Sequence, residues 1–281
     1  ETSIIGFGLG LSHNGFLPIS EIQFLAYFHN AEDQIRGEAA TLPFFSMGQY
    51  TNPIVLRIPG LAYQKGFGGH FHNDNSLSVF RDIPGIILAV PSNGLDAVKM
   101  LRHSVRQAYE NKRIVVFIEP IALYMVKDLH AKKDGKWNFK YPNQNQEIFL
   151  GDFNVYGKGK SLIIISYGNG LYYSLQAKKI IEKETNKKIK VIDLRWLSDI
   201  NYKKLLIEIG NCSKVLIVDE CRKTGCHGEG IFTNLIKKSE KKLIIRLHAS
   251  EDSFIALGDA ATATLISKES IIKESLNFIN E

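Results

Sequence analysis

Short, almost wholly apolar runs alternate along the chain with longer segments whose apolar residues recur at helical spacing. The runs of strand length are residues 17–24, 52–59, 85–92 and 112–120, followed by 161–168, 188–196, 213–220 and 241–248. The helical spacing predicts helices over residues 29–45, 94–111, 170–186, 201–210, 228–240 and 267–280. Strands that are apolar throughout and alternate with helices are typical of a parallel sheet covered on both faces. The pattern therefore predicts an α/β fold.

A polar, irregular segment at residues 127–148 interrupts this alternation, which then starts again. The chain has 281 residues, enough for two domains with separate cores. We therefore place a linker in this segment and expect one domain over residues 1–140 and a second over residues 147–281. In the last predicted helix, Ser267 is the expected N-cap, because its hydroxyl can accept a hydrogen bond from an amide of the first turn.

The first segment, residues 2–15, is apolar and small, with glycines at positions 6, 8 and 10. This spacing is similar to a dinucleotide-binding fingerprint, which needs a full strand before the glycines and an acidic residue about 20 positions after them. Too few residues precede these glycines to form that strand. We expect instead a buried helix whose small residues let another backbone approach closely.

The composition is that of a globular protein, with 44% apolar residues, 23% charged residues and a net charge of +6. The lysines that provide the excess charge lack the interleaved aromatic residues of a nucleic-acid surface, so no nucleic-acid partner is expected. Three cysteines, an odd number, favour a reducing compartment, and we expect a cytoplasmic protein. No apolar run approaches the ~20 residues that span a bilayer, and no signal peptide opens the chain.

The loop GFGGHFHND, residues 66–74, concentrates the polar chemistry of the first half. His70, His72 and Asp74 alternate, so they would share one face and form a metal site if the segment were extended. The glycines favour a loop instead, whose backbone can approach a substrate closely. A third possibility is a purely structural loop. The residues alone leave these three interpretations open.

The order of the longer motifs resembles one protein family. The motifs are IIGFGLGLSHNG after Glu1, PISEIQFLAYFHNAEDQI, IVLRIPG, GGHFHND, IPGIILAVPSNGLDAVKML and IEPIALY, then KVIDLRWLSDIN, VLIVDECRKTGCHGEGI and ALGDAATATLI. Together they resemble the β subunit, or fused β half, of the thiamine-diphosphate-dependent decarboxylase component of pyruvate and branched-chain 2-oxo acid dehydrogenase complexes. The resemblance implies a pyrimidine-binding parallel-sheet domain followed by a transketolase C-terminal-type α/β domain. It also implies an N-terminal truncation, because family residues that precede Glu1 are absent.

The resemblance implies that Glu1 is the catalytic carboxyl group, which hydrogen-bonds the aminopyrimidine ring of thiamine diphosphate. A carboxyl group that must hold or share a proton near neutral pH needs apolar neighbours. Ile4, Ile5 and Phe7 follow Glu1, and we expect them to shelter it.

Four further residues match site positions of the family. Tyr27 matches the residue that stacks on the cofactor ring, and Gln23 is expected to line the same pocket. His72 matches the catalytic histidine that contacts the substrate carboxylate and the acyl group, and His70 matches a second substrate histidine of some members. The sequence has His-Asn-Asp where the family commonly has His-Ser-Gln, so the residues do not fix which 2-oxo acid is used.

The resemblance implies only half of an active site. The family holds magnesium on a Gly-Asp-Gly motif, which this sequence lacks, so an α subunit or α half would hold magnesium and share thiamine diphosphate. The implied assembly is an α2β2 tetramer or a fused dimer that acts on a 2-oxo acid and passes the acyl group to a lipoyl domain of the acyltransferase component. Glu220 and Arg222, in the segment DECRKTG, are expected to be assembly contacts.

Two alternatives remain at this point. One is another transketolase-type thiamine enzyme, such as an acetoin dehydrogenase or a carbohydrate transferase. The other is a scaffold subunit without its own turnover.

Overall fold

Two β-sheets covered by helices form the framework of the protein in the computed structural model, which describes residues 1–62 and 68–281. The predicted α/β class with two successive parallel sheets is confirmed. The first sheet has four parallel strands in the order β1–β2–β4–β3. These strands are β1 (Ile19–Glu21), β2 (Ile54–Gly60), β3 (Ile86–Ala89) and β4 (Ile114–Pro120).

Helices and helical turns cover the first sheet. They are α1 (Thr2–His13), α2 (Leu25–Phe28), α3 (Thr41–Phe45) and α4 (Gly94–Asn111), with a π-helix at Gln34–Ala39 and 3₁₀ turns at Gly69–Phe71, Leu77–Asp82 and Ile121–Leu123. Helix α4 begins where predicted because the Asn93 side chain accepts a hydrogen bond from the Asp96 amide (2.9 Å), which satisfies a free amide of its first turn.

The second sheet has five strands in the order β5–β7–β6–β8–β9. They are β5 (Asn154–Tyr156), β6 (Ile163–Ser166), β7 (Lys190–Asp193), β8 (Lys214–Arg222) and β9 (Ile244–Ser250). All are parallel except β5, which pairs antiparallel with β7 at the edge. The sequence pattern misses β5 because it is three residues long and only half-buried, so it carries no continuous apolar run.

Four helices cover the second sheet: α5 (Gly168–Thr185), α6 (Tyr202–Ile209), α7 (His227–Lys238) and α8 (Lys268–Asn280), with a 3₁₀ turn at Gly258–Thr262. The predicted N-cap of α8 is confirmed, since the Ser267 hydroxyl accepts a hydrogen bond from the Ser270 amide (3.1 Å). Among the described residues, none of the helices combines the length and apolarity required to cross a membrane.

The two sheets are joined through the edge strand β3. The Val90 amide donates to the Arg195 carbonyl (2.8 Å), and the Leu197 amide donates to the Leu88 carbonyl (2.9 Å). Between these two bonds, Trp196 pairs antiparallel with β3 and its side chain is fully buried in the core under α4. A segment that follows β7 therefore completes the core of the first sheet.

Three expectations for the N-terminal region are wrong in detail. Helix α1 is present, but it is not buried all round: its outer face exposes Ile4 and Phe7, and a Cβ added at Gly6 or Gly10 would meet nothing within 4 Å. The strand expected over residues 17–24 ends at Glu21. The helix expected over residues 29–45 is divided into the π-helix and α3.

Residues 127–148 contain turns and no helix or strand, as the polar pattern predicts. The segment is nevertheless packed. Trp137 is buried against the α5 and α8 layer, and Ile148 is buried under α4. The Asp134 carboxylate accepts hydrogen bonds from four backbone amides, those of residues 129, 130, 131 and 136, and orders the turn.

Candidate active site

The histidine loop lies at the carboxyl end of β2, where functional loops of parallel sheets are found. Gly66 and Phe67, at its start, lie outside the described residues. Gly68 has a left-handed backbone (φ +71°), and a Cβ placed there would lie 2.0 Å from His72 Nδ1. His72 Nδ1 lies 3.3 Å from the Gly68 carbonyl oxygen. The imidazole therefore occupies the space that the missing side chain leaves, and its position depends on glycine at residue 68.

Aromatic rings surround the imidazole of His72. The Phe24 ring packs edge-on against it at 4.5 Å between centroids, and the Tyr27 ring lies 6.2 Å away. Tyr27 also contacts Phe24 at 5.9 Å. Edge-on arrangements of this kind are favourable for aromatic pairs. The structure thus brings Tyr27 and His72 together, and it adds Phe24, which the sequence analysis did not single out.

His70 faces a different environment from His72. Its exposed ring lies 4.1 Å from the Phe71 ring and 6.2 Å from the ring of Phe254, a residue that follows β9. The two histidines are therefore not equivalent: His72 belongs to the Tyr27 cluster, whereas His70 lies on the outer lip of the loop beside the second sheet.

Glu1 lies at the start of α1 as its N-cap residue, and its carboxylate does not cap the helix. The Thr2 hydroxyl donates to the Asn30 carbonyl (2.6 Å), and the Asn30 amide donates to the Tyr27 carbonyl (3.2 Å). This chain of contacts places Glu1 beside the end of α2, the helix that carries Tyr27. Gln23 is exposed in the turn between β1 and α2, next to Phe24.

The expected apolar shelter of Glu1 is wrong for this chain taken alone. Glu1 is half-buried, Ile4 is 44% exposed and Phe7 is 71% exposed, so only Ile5 among the three points inward. The helix turns 100° per residue, and consecutive apolar residues therefore cannot all face one carboxyl group.

Asp74 is buried and paired from two sides. His29 Nε2 lies 2.9 Å from Asp74 Oδ2, and an Arg222 amino group donates to Asp74 Oδ1 (3.3 Å). Burial acts to raise the pKa of Asp74, but the hydrogen bonds from His29 and Ser76 outweigh it and lower the pKa. The hydrogen bond to Asp74 raises the pKa of His29.

These contacts hold the Asp74 side chain of the histidine loop between partners of the same chain. The carboxylate of Asp74 is directed to His29 and Arg222. Within residues 1–62 and 68–281, no group of three His, Cys, Asp or Glu side chains could hold a metal ion. The arrangement is that of a tightly bonded loop which presents His72 to the aromatic cluster.

Glu220 lies at the carboxyl end of β8 and is fully buried. It accepts hydrogen bonds from the Asn169 amide (2.9 Å) and the Asn169 side chain (2.8 Å). Burial raises the pKa of Glu220 to about 8. The Glu220 carbonyl also accepts a hydrogen bond from the Asn75 side chain (2.7 Å). In this chain Glu220 and Arg222 contact the histidine-loop segment, so they hold the two halves of one chain together.

Two family models match the chain. Residues 1–127 match the transketolase pyrimidine-binding domain, and residues 151–255 match the transketolase C-terminal domain. The two matches together account for most of the chain, which carries a transketolase pyrimidine-binding domain followed by a transketolase C-terminal domain.

Within this class, the chain is similar to β subunits of 2-oxo acid dehydrogenase components. It is 29% identical to the pyruvate dehydrogenase E1 component subunit beta of Bacillus subtilis, over 89% of this chain and 70% of that protein. It is 28% identical to the protein of the same name from Staphylococcus epidermidis, over 98% of this chain and 80% of that one. It is 32% identical to the mitochondrial 2-oxoisovalerate dehydrogenase subunit beta of Dictyostelium discoideum, over 80% of this chain and 57% of that one. The family resemblance is thereby confirmed.

Solved structures show the same fold. A split-gene transketolase described as an inactive β4 tetramer superposes with a TM-score of 0.72 at 18% identity, over 100% of this chain and 82% of that chain. A transketolase from Pichia stipitis superposes with a TM-score of 0.58 at 15% identity, over 92% of this chain and 34% of that chain.

Proposed function

We propose that this chain is the β part of a 2-oxo acid dehydrogenase, which decarboxylates a 2-oxo acid with thiamine diphosphate and passes the acyl group to lipoamide. The observation that supports the proposal is the pairing of Tyr27 with His72, whose ring centroids are 6.2 Å apart, together with the hydrogen bond from Thr2, the residue after Glu1, to the Asn30 carbonyl just beyond α2. The two family models and the β-subunit relatives support the same activity. We further propose the domain division at residues 1–140 and 147–281.

The residues present fit the pyrimidine side of the cofactor. Glu1 is a half-buried carboxyl group at a helix start, Tyr27 is a partly buried aromatic residue, and the His72 imidazole packs on the Phe24 ring. When bound, thiamine diphosphate supplies an electron sink for the cleavage of the bond to carbon dioxide.

Each residue has a defined task in this proposal. Glu1 holds a proton at a ring nitrogen of the pyrimidine, and Tyr27 packs against the ring and fixes its tilt. Gln23 borders the same pocket. His72 donates a hydrogen bond to the substrate carboxylate and moves a proton during acyl transfer, as an imidazole can. His70, on the outer lip, contacts the acyl acceptor.

We also propose that the chain acts together with an α partner. The sequence lacks the Gly-Asp-Gly motif on which the family holds magnesium, so we assign magnesium and the diphosphate to an α subunit or α half. The exposed Ile4 and Phe7 flank the half-buried Glu1, and a partner that covers them would desolvate its carboxyl group. An α2β2 tetramer or fused dimer would bury this face, and a lipoyl domain would approach along the lip at His70. A cytoplasmic location remains our expectation.

The direct test is reconstitution of the chain with its α partner, thiamine diphosphate and magnesium. Activity is followed as dye reduction that depends on a 2-oxo acid, with pyruvate, 2-oxobutyrate and branched-chain acids compared. We expect turnover with at least one of them and a loss of at least about 100-fold in kcat for Glu1→Gln, because the amide cannot hold the proton.

Glu240→Gln is the matched control, since Glu240 is exposed at the far end of α7, and it should retain full activity. Near-normal turnover by Glu1→Gln would remove the catalytic assignment. Absence of turnover with every 2-oxo acid, in a complex that binds thiamine diphosphate, would refute the proposed reaction.

A further inference from the structure

A buried carboxylate in the histidine loop is held from both domains at once. Asp74 belongs to the pyrimidine-binding domain and has a side chain that is 7% exposed. From its own domain, His29 at the end of α2 contacts Oδ2 at 2.9 Å. From the C-terminal domain, Arg222 at the end of β8 contacts Oδ1 at 3.3 Å. The carboxylate lies between two nitrogen donors that are 193 residues apart in the sequence.

Arg222 is itself fixed in place by several contacts. A second amino nitrogen donates to the Ser76 hydroxyl (2.6 Å), and its Nε donates to the Ser253 carbonyl (3.2 Å). Its guanidinium lies over the Phe254 ring at 5.4 Å. A planar guanidinium with separate partners for its nitrogens has one orientation, so Arg222 holds Asp74 and Ser76 in a fixed geometry.

Backbone hydrogen bonds also hold the loop around Asp74 in place. Asp74 pairs antiparallel with Leu61, and the Ser76 amide donates to Asp74 Oδ1 (3.0 Å). The amide of Asn73 donates to the Gly69 carbonyl (2.9 Å). His72 lies between these anchored points. Its place beside Phe24 therefore depends on bonds made two and four residues further along the chain.

We propose that Asp74 is a positioning residue: together with His29 and Arg222 it forms an ionic clamp across the two domains that holds the His72 imidazole in the active site. This inference rests on the proposed function, because it assigns the clamp to the histidine that contacts the substrate. The C-terminal domain thereby acts on the site through Arg222 without any contact to the cofactor. A carboxylate buried to this degree is costly once a partner is removed, so loss of Arg222 should release the loop.

The first measurement tests the clamp in the chain itself. Arg222→Met keeps an apolar side chain over Phe254 and removes both bonds to the loop. We expect hydrogen exchange of the amides within residues 72–76 to become about 10-fold faster, because hydrogen bonds to a charged group are lost. Lys223→Met is the matched control: Lys223 is the adjacent exposed cation, and its loss should leave exchange in the loop unchanged.

The second measurement tests positioning in the enzyme reconstituted with its α partner. Arg222→Met should lower kcat/KM for the 2-oxo acid about 10-fold, while the Kd for thiamine diphosphate stays unchanged, because the lost bonds join Arg222 to Asp74 and Ser76, whereas the His29–Asp74 contact beside α2 is kept. Asp74→Asn serves as a second variant if Arg222→Met does not fold. It should likewise lower kcat/KM for the 2-oxo acid and leave the Kd for thiamine diphosphate unchanged.

The outcomes are distinguishable. The clamp would be overturned if hydrogen exchange in the loop were unchanged in both Arg222→Met and Asp74→Asn. It would also be overturned if Lys223→Met accelerated this exchange as much as Arg222→Met does. Faster exchange with unaltered kcat and KM would overturn the positioning role, since the contacts would then be structural only. If the wild-type complex turned over no 2-oxo acid, the proposed function would fail, and the exchange measurement would still decide whether the clamp exists.

Discussion

At the scale of single residues, the site depends on where side chains are missing as much as on where they are present. The His72 imidazole occupies the space in which a side chain at residue 68 would lie. The same residue has a positive φ angle, a conformation that L-residues with a Cβ seldom adopt. Both steric requirements point to glycine at this position.

We expect Gly68→Ala to displace the imidazole and to lower kcat/KM for the 2-oxo acid by at least about 10-fold, because the added methyl group would lie 2.0 Å from His72 Nδ1. Gly94→Ala is the control, since a Cβ at Gly94 would meet nothing within 4 Å. Steady-state kinetics of the reconstituted enzyme measure both variants. Equal activity of Gly68→Ala and wild type would show that His72 is not held in this way.

The sequence could predict the histidine loop but not the clamp beneath it. Two histidines among glycines mark a loop near a site, and the family resemblance names His72 and Tyr27 directly. Asp74, in contrast, meets His29 across 45 positions and Arg222 across 148 positions. No local pattern encodes such pairings, because the partners lie in different elements that meet only when the chain folds. Phe24 was missed for the same reason.

At the scale of elements, the ends of strands in the two sheets face one another, and buried polar groups lie between them. Asp193 ends β7 and accepts a hydrogen bond from the Ser92 hydroxyl (3.0 Å) in the loop after β3. Nearby, Arg195 donates to Asp96 (2.8 Å). Burial and the charge of Asp96 raise the pKa of Asp193 to about 7. The docked elements therefore favour a protonated Asp193.

This raised pKa predicts a pH dependence of stability. A carboxyl group whose pKa is higher in the folded state stabilises the fold most below its unfolded pKa, near 4, and that contribution is lost as the pH rises towards 7. Asp193→Asn should remove the dependence. The free energy of unfolding of the variant minus that of wild type should therefore increase by on the order of 2 kcal/mol from pH 5 to pH 8, because only wild type loses this contribution.

Urea denaturation at the two pH values measures this change. Asp259→Asn is the control, because Asp259 is exposed and its replacement should give the same difference from wild type at both values. A difference between Asp193→Asn and wild type that does not change with pH would contradict the protonated state of Asp193.

The elements themselves show what the apolar pattern determines. Every predicted strand is present, and α4 has the predicted bounds, because a continuous apolar run or an amphipathic period carries a strong signal. The pattern fails where an element is short or bent. Strand β5 and the π-helix at Gln34–Ala39 are examples, and their conformations are set by packing against neighbouring elements.

At the scale of the whole molecule, the chain presents an apolar face that its own fold does not cover. Helix α1 contacts the π-helix, which in turn contacts α3, and the outer side of this layer exposes Ile4, Phe7, Phe44, Phe45 and Met47. Exposed apolar patches of this kind mark sites of protein association. Glu1 is the N-cap residue of α1, so in our proposal a partner that covers this helix also desolvates the carboxyl group.

The most direct test is a structure of the chain bound to its α partner, thiamine diphosphate and magnesium, in which one distance is measured: from the Glu1 carboxylate to the nearest ring nitrogen of the pyrimidine. We predict a hydrogen-bond distance of about 2.6–3.2 Å, with Tyr27 against the ring and the outer face of α1 covered by the partner. A pyrimidine ring bound elsewhere, with the Glu1 carboxylate in solvent, would contradict the account.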